Sequence, residues 1–187
     1  MIDRFGRSID YVRISVTDLC NLRCRYCMPE KGVPHLNCEN ILTYEEIEKI
    51  CRCFASLGVE KIKITGGEPL VRKDIAVLIN KIKSIDGIKN VTITTNGVLL
   101  AEKANELKQA GIDGINISLD AADPVLFKKI TRFNKFYQAS EGIQKAVDIG
   151  IPNIKINCVA MKDLNEDQLI PIAGFAKDYD INVRFIE

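Results

Sequence analysis

Short runs of alternating apolar and polar residues recur along the chain, and each is followed by a segment with apolar residues at helical spacing. The short runs are rich in β-branched residues, which is typical of strands, and they end in small or polar residues. Together they predict six strands: Tyr11 to Val16, Lys61 to Thr65, Val91 to Thr95, Gly114 to Leu119, Asn153 to Val159 and Asn182 to Ile186.

The segments between the strands carry signals for helix ends. Thr43 and Glu46 have the spacing of a capping box, and Gly58 marks the end of the helix that follows. Asp123-Pro124 predicts an N-cap followed by proline at the first helical position. Pro171 lies inside the last predicted helix, which we therefore expect to begin late or to be distorted. The other apolar stripes predict helices from about Ile75 to Gly87, Leu100 to Gly111, Ala139 to Ile149 and Glu166 to Tyr179.

Alternation of strands and helices predicts right-handed crossovers and a parallel sheet, in either an open doubly wound fold or a (β/α) barrel. No G-x-G-x-x-G sequence follows a strand, so nothing marks a dinucleotide-binding fold. Six strand–helix units are fewer than the eight of a closed barrel. The sequence therefore predicts an α/β fold in which residues 1–187 form one domain, an incomplete and open (β/α)6 TIM barrel of parallel strands.

One face of the predicted strands is polar, whereas buried parallel strands are usually apolar on both faces. Arg13, Lys63, Thr94, Ser118 and Lys155 all lie on this polar face by strand parity. A buried polar group without a partner costs about 1–3 kcal/mol, so a row of them should meet water or a polar ligand. We expect this concave face to line a wet chamber; the alternative is a face exposed on an open sheet.

Composition narrows the classes of function. The 26 Lys and Arg residues balance 25 Asp and Glu residues to a net charge of +1, which argues against a binder of long nucleic acids. No apolar run approaches the ~20 residues of a membrane span, and no signal-peptide core follows the first residues. The chain has 7 cysteines, an odd number in a chain too long to be a disulfide-stapled miniprotein, so we expect a protein of the reducing cytoplasm.

Three of the cysteines, Cys20, Cys24 and Cys27, form a C-x3-C-x2-C motif just after the first strand. Thiolates suit zinc and iron–sulfur clusters. A structural zinc ion needs a fourth ligand, and the candidates Cys38 and His35 belong to no second ligand pair. Three cysteines on a [4Fe–4S] cube would leave one iron open for a small chelating molecule. We favour the cluster over structural zinc and over incidental thiols.

Two motifs together resemble the radical S-adenosylmethionine (SAM) superfamily. They are the cysteine motif with the aromatic residue Tyr26 before its last cysteine, and the stretch Gly66-Gly67-Glu68-Pro69 after the second strand. The resemblance implies a [4Fe–4S] cluster on the three cysteines. That cluster carries SAM and cleaves it to methionine and a 5′-deoxyadenosyl radical, which takes hydrogen from the substrate.

The same resemblance implies the residues that bind SAM. Tyr26 matches a residue beside the adenine, and Gly66 and Gly67 match the strand that pairs with the methionine amino group. Ser118 matches a polar contact to SAM. Two adjacent glycines also let backbone approach a ligand without an intervening Cβ, although a bare Gly-Gly pair is only a turn signal.

From about residue 3 to the last residue, the chain is similar to the GTP 3′,8-cyclase family of molybdenum cofactor biosynthesis. That resemblance implies GTP as the substrate, contacted by Arg13, Lys63, Thr94 and Lys155, and a reducing electron donor. Lys63 stands where the family often has arginine, so the charge is kept but the bidentate fork is lost. The motifs that carry the match are Phe5-Gly6-Arg7, Arg13 to Asp18, Cys27-Met28-Pro29, Ile64 to Leu70, Thr94 to Gly97, Asn116 to Asp120 and Arg184 to Glu187.

Members of this family continue past the position of Glu187 to a second three-cysteine cluster, and Cys38, Cys51, Cys53 and Cys158 do not reproduce that set. We therefore expect the partners to include a second copy of the chain or the C-terminal half of the family. Two alternatives stay open: a radical SAM enzyme acting on another substrate, and an inactive fragment that binds a cluster or zinc.

Overall fold

Six parallel strands form one sheet in the computed structural model of the protein, which describes residues 2–34 and 36–187. Neighbouring strands follow the chain order without a reversal, so the sheet is not doubly wound, because a doubly wound sheet reverses its strand order. β1 and β6 are its two edges, which makes the barrel open, as predicted. The strands are β1 (Tyr11–Ser15), β2 (Lys61–Thr65), β3 (Asn90–Thr95), β4 (Gly114–Ser118), β5 (Ile154–Val159) and β6 (Asn182–Ile186).

Six α-helices in the described residues connect the strands, and their ends follow the predicted signals with two exceptions. The second helix ends at Lys83, four residues before the predicted Gly87, and the fifth begins early. Thr43 caps the first helix in a complete capping box with Glu46. Pro171 lies in the first turn of the last helix, where its missing N–H removes no intrahelical bond. The fifth helix begins earlier than predicted, at Phe136, whose ring packs edge-on against Phe127 at 5.8 Å. The helices are α1 (Tyr44–Ser56), α2 (Ile75–Lys83), α3 (Leu100–Gln109), α4 (Pro124–Thr131), α5 (Phe136–Asp148) and α6 (Leu169–Asp178).

The apolar face of the sheet packs under the helices and forms the core. Ile62 and Ile64 on β2, Ile93 on β3 and Ile115 on β4 are at most 1% exposed. Their neighbours along each strand point to the opposite, concave face. The alternation seen in the sequence thus separates a dry helix-covered face from a polar one. No helix in the described part of the chain has the length and apolar character needed to cross a bilayer.

The polar face is enclosed in the middle and open at its edges. Asn116 on β4 is 7% exposed, and Lys63 and Thr94 are half-buried. Arg13 on β1 and Arg184 on β6 are exposed, because no strand covers the outer side of either one. The polar face, which we call the bowl, is therefore partly buried on its middle strands and exposed on its two edge strands.

Candidate active site

The three motif cysteines lie on the loop that leaves the carboxyl end of β1. Cys20 and Cys24 are half-buried, Cys27 is exposed, and all three are free thiols. Burial raises the pKa of Cys24 to about 12, with further contributions from the carboxylate of Asp120 and the thiols of Cys20 and Cys27. The three thiols thus lie near enough to influence one another's pKa, and a bound metal would favour their thiolate forms.

Three free cysteines on one loop are a donor set that an iron–sulfur cluster can use. Among residues 2–34 and 36–187, no three metal-ligating side chains converge closely enough to hold one ion. A zinc ion draws its ligands to about 2.3 Å from one point, whereas a cluster spreads its cysteines over separate irons. His35 and the side chain of Cys38, the candidate fourth zinc ligands, lie outside what the structure describes.

Gly66 and Gly67 form a glycine corner at the end of β2. They hold the first arm of the cysteine loop, residues 17–21, against this strand end. The Gly67 amide donates to the Thr17 carbonyl at 2.7 Å. A Cβ on Gly66, at φ +155°, would lie 2.6 Å from the same oxygen, and one on Gly67 would lie 2.3 Å from the Leu19 carbonyl. The glycines therefore allow the close approach of two protein backbones. Their contact with SAM stays a prediction.

Glu68 joins the glycine corner after β2 to the end of β3 by hydrogen bonds, a role that the sequence did not indicate. Its buried carboxylate accepts hydrogen bonds from the Leu70 amide at 3.0 Å, the Thr95 hydroxyl at 2.7 Å and the Asn96 amide at 2.6 Å. The Asn96 side chain in turn donates to Asn21 Oδ1 in the cysteine loop at 2.7 Å. Burial raises the pKa of Glu68, although these three donors act in the opposite direction.

The end of α4 supports the back of the cysteine loop. Arg132, in the left-handed conformation at φ 65°, donates from Nη1 to the Arg23 carbonyl at 2.5 Å and the Met28 carbonyl at 3.1 Å. The Arg23 amide donates to the Thr131 carbonyl at 3.1 Å. Arg132 drew no attention in the sequence, because nothing local links it to a loop about a hundred residues away.

Tyr26 lies in the far arm of the cysteine loop, residues 25–28, and its contact with Asp120 connects this arm to the ends of the strands. The Tyr26 hydroxyl donates to Asp120 Oδ2 at 2.7 Å, and the Val159 amide donates to Asp120 Oδ1 at 2.8 Å. Burial raises the pKa of Asp120, and these two hydrogen bonds lower it. Ser118, the predicted polar contact to SAM, lies two residues before Asp120 at the end of β4.

Four basic side chains face the bowl. Arg13 and Lys63 are register partners on β1 and β2. Burial lowers the pKa of Lys63, and the charges of Arg13, Lys155 and Arg184 lower it further. In the described part of the chain, none of the four forms an ion pair with an acidic side chain. Arg184 was placed on this face by parity alone and was not predicted as a substrate contact.

Polar residues without charge complete the bowl between the cysteine loop and the basic cluster. Thr94 pairs with Asn116 in register, and Asn116 pairs with Lys155. Asn157 lies between Ser118 and Arg184 in register, and among the described side chains its Oδ1 is the one buried polar atom without a hydrogen bond. A buried acceptor facing this chamber fits a ligand that donates hydrogen bonds.

Sequence comparison agrees with this geometry. A family profile described as the Radical SAM superfamily matches residues 14–176. The chain belongs to the radical SAM superfamily. This family uses a [4Fe–4S] cluster and SAM, and the residues that bind them in this radical SAM chain stay predictions.

Individual relatives narrow the resemblance within the radical SAM superfamily. The chain is 48% identical over 187 residues to "GTP 3′,8-cyclase" of Limosilactobacillus fermentum, an alignment that covers 100% of this chain and 56% of that protein. It is 45% identical over 187 residues to "Molybdenum cofactor biosynthesis protein 1" of Homo sapiens, with 100% and 29% covered. This radical SAM chain thus spans about half the length of the bacterial relatives and less of the human one.

Solved structures share the fold. SuiB of Streptococcus suis bound to S-adenosylmethionine superimposes with a TM-score of 0.74 at 23% identity, covering 94% of this chain and 38% of that one. Methylornithine synthase (PylB) gives a TM-score of 0.69 at 19% identity, with 95% and 53% covered. At these identities the likeness concerns the fold alone, and the roles of individual residues stay predictions.

Proposed function

We propose that this chain is the radical SAM part of a GTP 3′,8-cyclase, which starts the rearrangement of GTP to (8S)-3′,8-cyclo-7,8-dihydroguanosine 5′-triphosphate in molybdenum cofactor biosynthesis. The observation that carries the proposal is the placement of three free cysteines on the loop after β1, at one end of a polar sheet face that carries four basic side chains. The bacterial relatives named GTP 3′,8-cyclase support the choice of substrate.

In this proposal Cys20, Cys24 and Cys27 hold a [4Fe–4S] cluster, and Tyr26 and Ser118 contact SAM. When bound, the reduced cluster supplies the electron that cleaves SAM to methionine and a 5′-deoxyadenosyl radical. The glycine corner of Gly66 and Gly67 keeps the first arm of the loop in place beside SAM. The half-buried bowl excludes part of the bulk water from the reacting centre.

The basic cluster would bind the triphosphate. Four basic side chains, Arg13, Lys63, Lys155 and Arg184, lie on one face, and none has an acidic partner among the described residues. Phosphate oxygens are strong acceptors for such donors. Thr94 would add a neutral hydrogen bond toward the nucleoside. The triphosphate would thus be held at the floor while the sugar points toward the cysteine loop.

The remaining assignments belong to the same proposal. Residues 1–187 would form the radical SAM core domain, reduced by an electron donor. A second copy of the chain or the C-terminal half of the family would complete the site. A cytoplasmic location would keep the three thiols reduced.

The test is SAM cleavage in the presence of labelled nucleotide. After anaerobic reconstitution and reduction, the protein with SAM and 3′-deuterated GTP is expected to release 5′-deoxyadenosine that carries deuterium. Deuterated ATP is the matched control and should transfer none. Unlabelled 5′-deoxyadenosine would point to a radical SAM enzyme of another substrate, and absence of 5′-deoxyadenosine from a fully loaded sample would refute the catalytic proposal.

The lowered pKa of Lys63 predicts that GTP affinity depends on pH. Because the pKa of Lys63 is lowered, its ammonium is lost earlier than that of an ordinary lysine as the pH rises. GTP affinity measured by equilibrium dialysis should therefore decline toward alkaline pH in the wild type and hold in Lys63→Arg. Lys63→Ala should weaken binding about tenfold, the scale of one charge-assisted hydrogen bond. Lys129→Ala, on the exposed side of α4, is the control, and an equal loss there would contradict a triphosphate site.

A further inference from the structure

We propose that Asp120 is a positioning residue for the cysteine loop. Its buried carboxylate accepts a hydrogen bond from the Tyr26 hydroxyl and so fixes the arm that carries Cys27. The inference rests on the proposed cluster and SAM site, and it is independent of whether the substrate is GTP. The two residues are 94 positions apart in the sequence, so the contact depends on the fold.

The geometry of the Tyr26–Asp120 contact is that of a strong hydrogen bond. The hydroxyl lies 2.7 Å from Oδ2, the short distance typical of an O–H donor to a carboxylate. Tyr26 as a residue is 49% exposed, whereas Asp120 is 5% exposed. The exposed ring of Tyr26 has little packing to hold it. Its hydrogen bond to the buried carboxylate of Asp120 therefore fixes its position.

Asp120 is itself held in place by the neighbouring strand. The Val159 amide at the end of β5 donates to its other oxygen, Oδ1, at 2.8 Å. Asn165, which is fully buried, donates from Nδ2 to the Asp120 carbonyl at 2.8 Å and to the Val159 carbonyl at 2.9 Å. The Met161 amide in turn donates to Asn165 Oδ1 at 2.7 Å. The carboxylate is therefore a fixed point at the carboxyl ends of β4 and β5.

The other ties of the far arm lead to α4 and not to the strand ends. The first arm is joined to the residue after β3 through Asn21. The Arg25 amide donates to the Ile130 carbonyl at 2.9 Å and Arg132 donates to the Met28 carbonyl, so α4 holds the far arm from behind. The Cys27 amide donates only within the loop, to the Cys24 carbonyl at 2.9 Å. Within the described chain, the Tyr26 hydroxyl is thus the side-chain bond that joins this arm to the strand ends. Loss of that bond would let Cys27 move relative to the strand ends that face SAM.

The experiment compares the wild type with Tyr26→Phe, Asp120→Asn and the double variant, and uses Tyr137→Phe, an exposed tyrosine on α5, as the control. In the metal-free proteins, amide hydrogen exchange over residues 26–28 should be about tenfold faster in each single variant, the scale of one hydrogen bond to a charged group. After anaerobic reconstitution, SAM affinity, read from the change in the electron paramagnetic resonance spectrum of the reduced cluster, should weaken by a similar factor.

The double variant decides whether the two residues act as one unit. If they do, the double variant should resemble either single variant in both measurements, while additive effects would overturn the inference. Unchanged exchange and unchanged SAM affinity would also overturn it. Should Asp120→Asn fail to fold, Tyr26→Phe alone decides, since that side chain is half exposed. A wild type that binds no SAM would refute the proposed function, and the exchange data would still test the contact.

Discussion

Cys24→Ala is expected to abolish iron retention after anaerobic reconstitution and, with it, the release of 5′-deoxyadenosine. Cys24 is the middle residue of the motif, and its thiol lies within electrostatic reach of both others. Removal of one of three ligands leaves two cysteines, too few to hold a cube at three corners. Iron and sulfide analysis together with the visible absorption of the cluster measures the effect.

Cys53→Ala is the matched control for this experiment. Cys53 is also a free cysteine, but it is exposed and lies on α1, outside the cysteine motif. It should retain the wild-type iron content and the wild-type rate of SAM cleavage. A Cys24→Ala protein that still held a complete cluster would mean that the ligands have been assigned wrongly.

Gly67→Ala is expected to lower the free energy of unfolding by about 3 kcal/mol, the upper part of the range for overpacking. The new Cβ would lie 2.3 Å from the Leu19 carbonyl oxygen and 2.7 Å from the Asp18 carbonyl oxygen. Both obstacles are backbone atoms of the first arm of the cysteine loop, so the arm must move. Urea unfolding measures the stability, and iron content after reconstitution should fall as well.

Gly174→Ala should change the free energy of unfolding in the opposite direction and raise it. Gly174 lies inside α6, and a Cβ there would meet no atom within 4 Å. Alanine in an exposed helix interior is favoured over glycine by about 1 kcal/mol, so this variant should be more stable than the wild type. Equal effects of the two substitutions would mean that the contact between the glycine corner and the loop is absent in solution.

Strand positions were predictable because each strand combines β-branched residues with a period of two. β2 and β6 have the predicted bounds, and β1 ends one residue earlier, at Ser15. The start of α5 was wrong because a contact between two aromatic rings, Phe127 and Phe136, extends the helix beyond its local signals. Local pattern thus determines the elements, and tertiary contacts adjust their ends.

The cysteine motif was readable from the sequence because its three ligands lie within one short loop. The side chains that hold the loop were not readable, because each comes from a distant element: Glu68, Asn96, Asp120 and Arg132. Strand parity placed Arg184 on the polar face, but only the assembled sheet brings its charge to bear on Lys63.

The many ties of the cysteine loop have a consequence for loss and repair of the metal centre. In a zinc finger the metal supplies the folding energy, so the apoprotein unfolds. Here hydrogen bonds to the residues that follow β2, β3 and β4 and to the end of α4 already hold the cysteine loop, and Leu22 of that loop is part of the continuous apolar core. Loss of the irons through oxygen damage should therefore leave a folded protein. That protein should bind a new cluster without passing through the unfolded state.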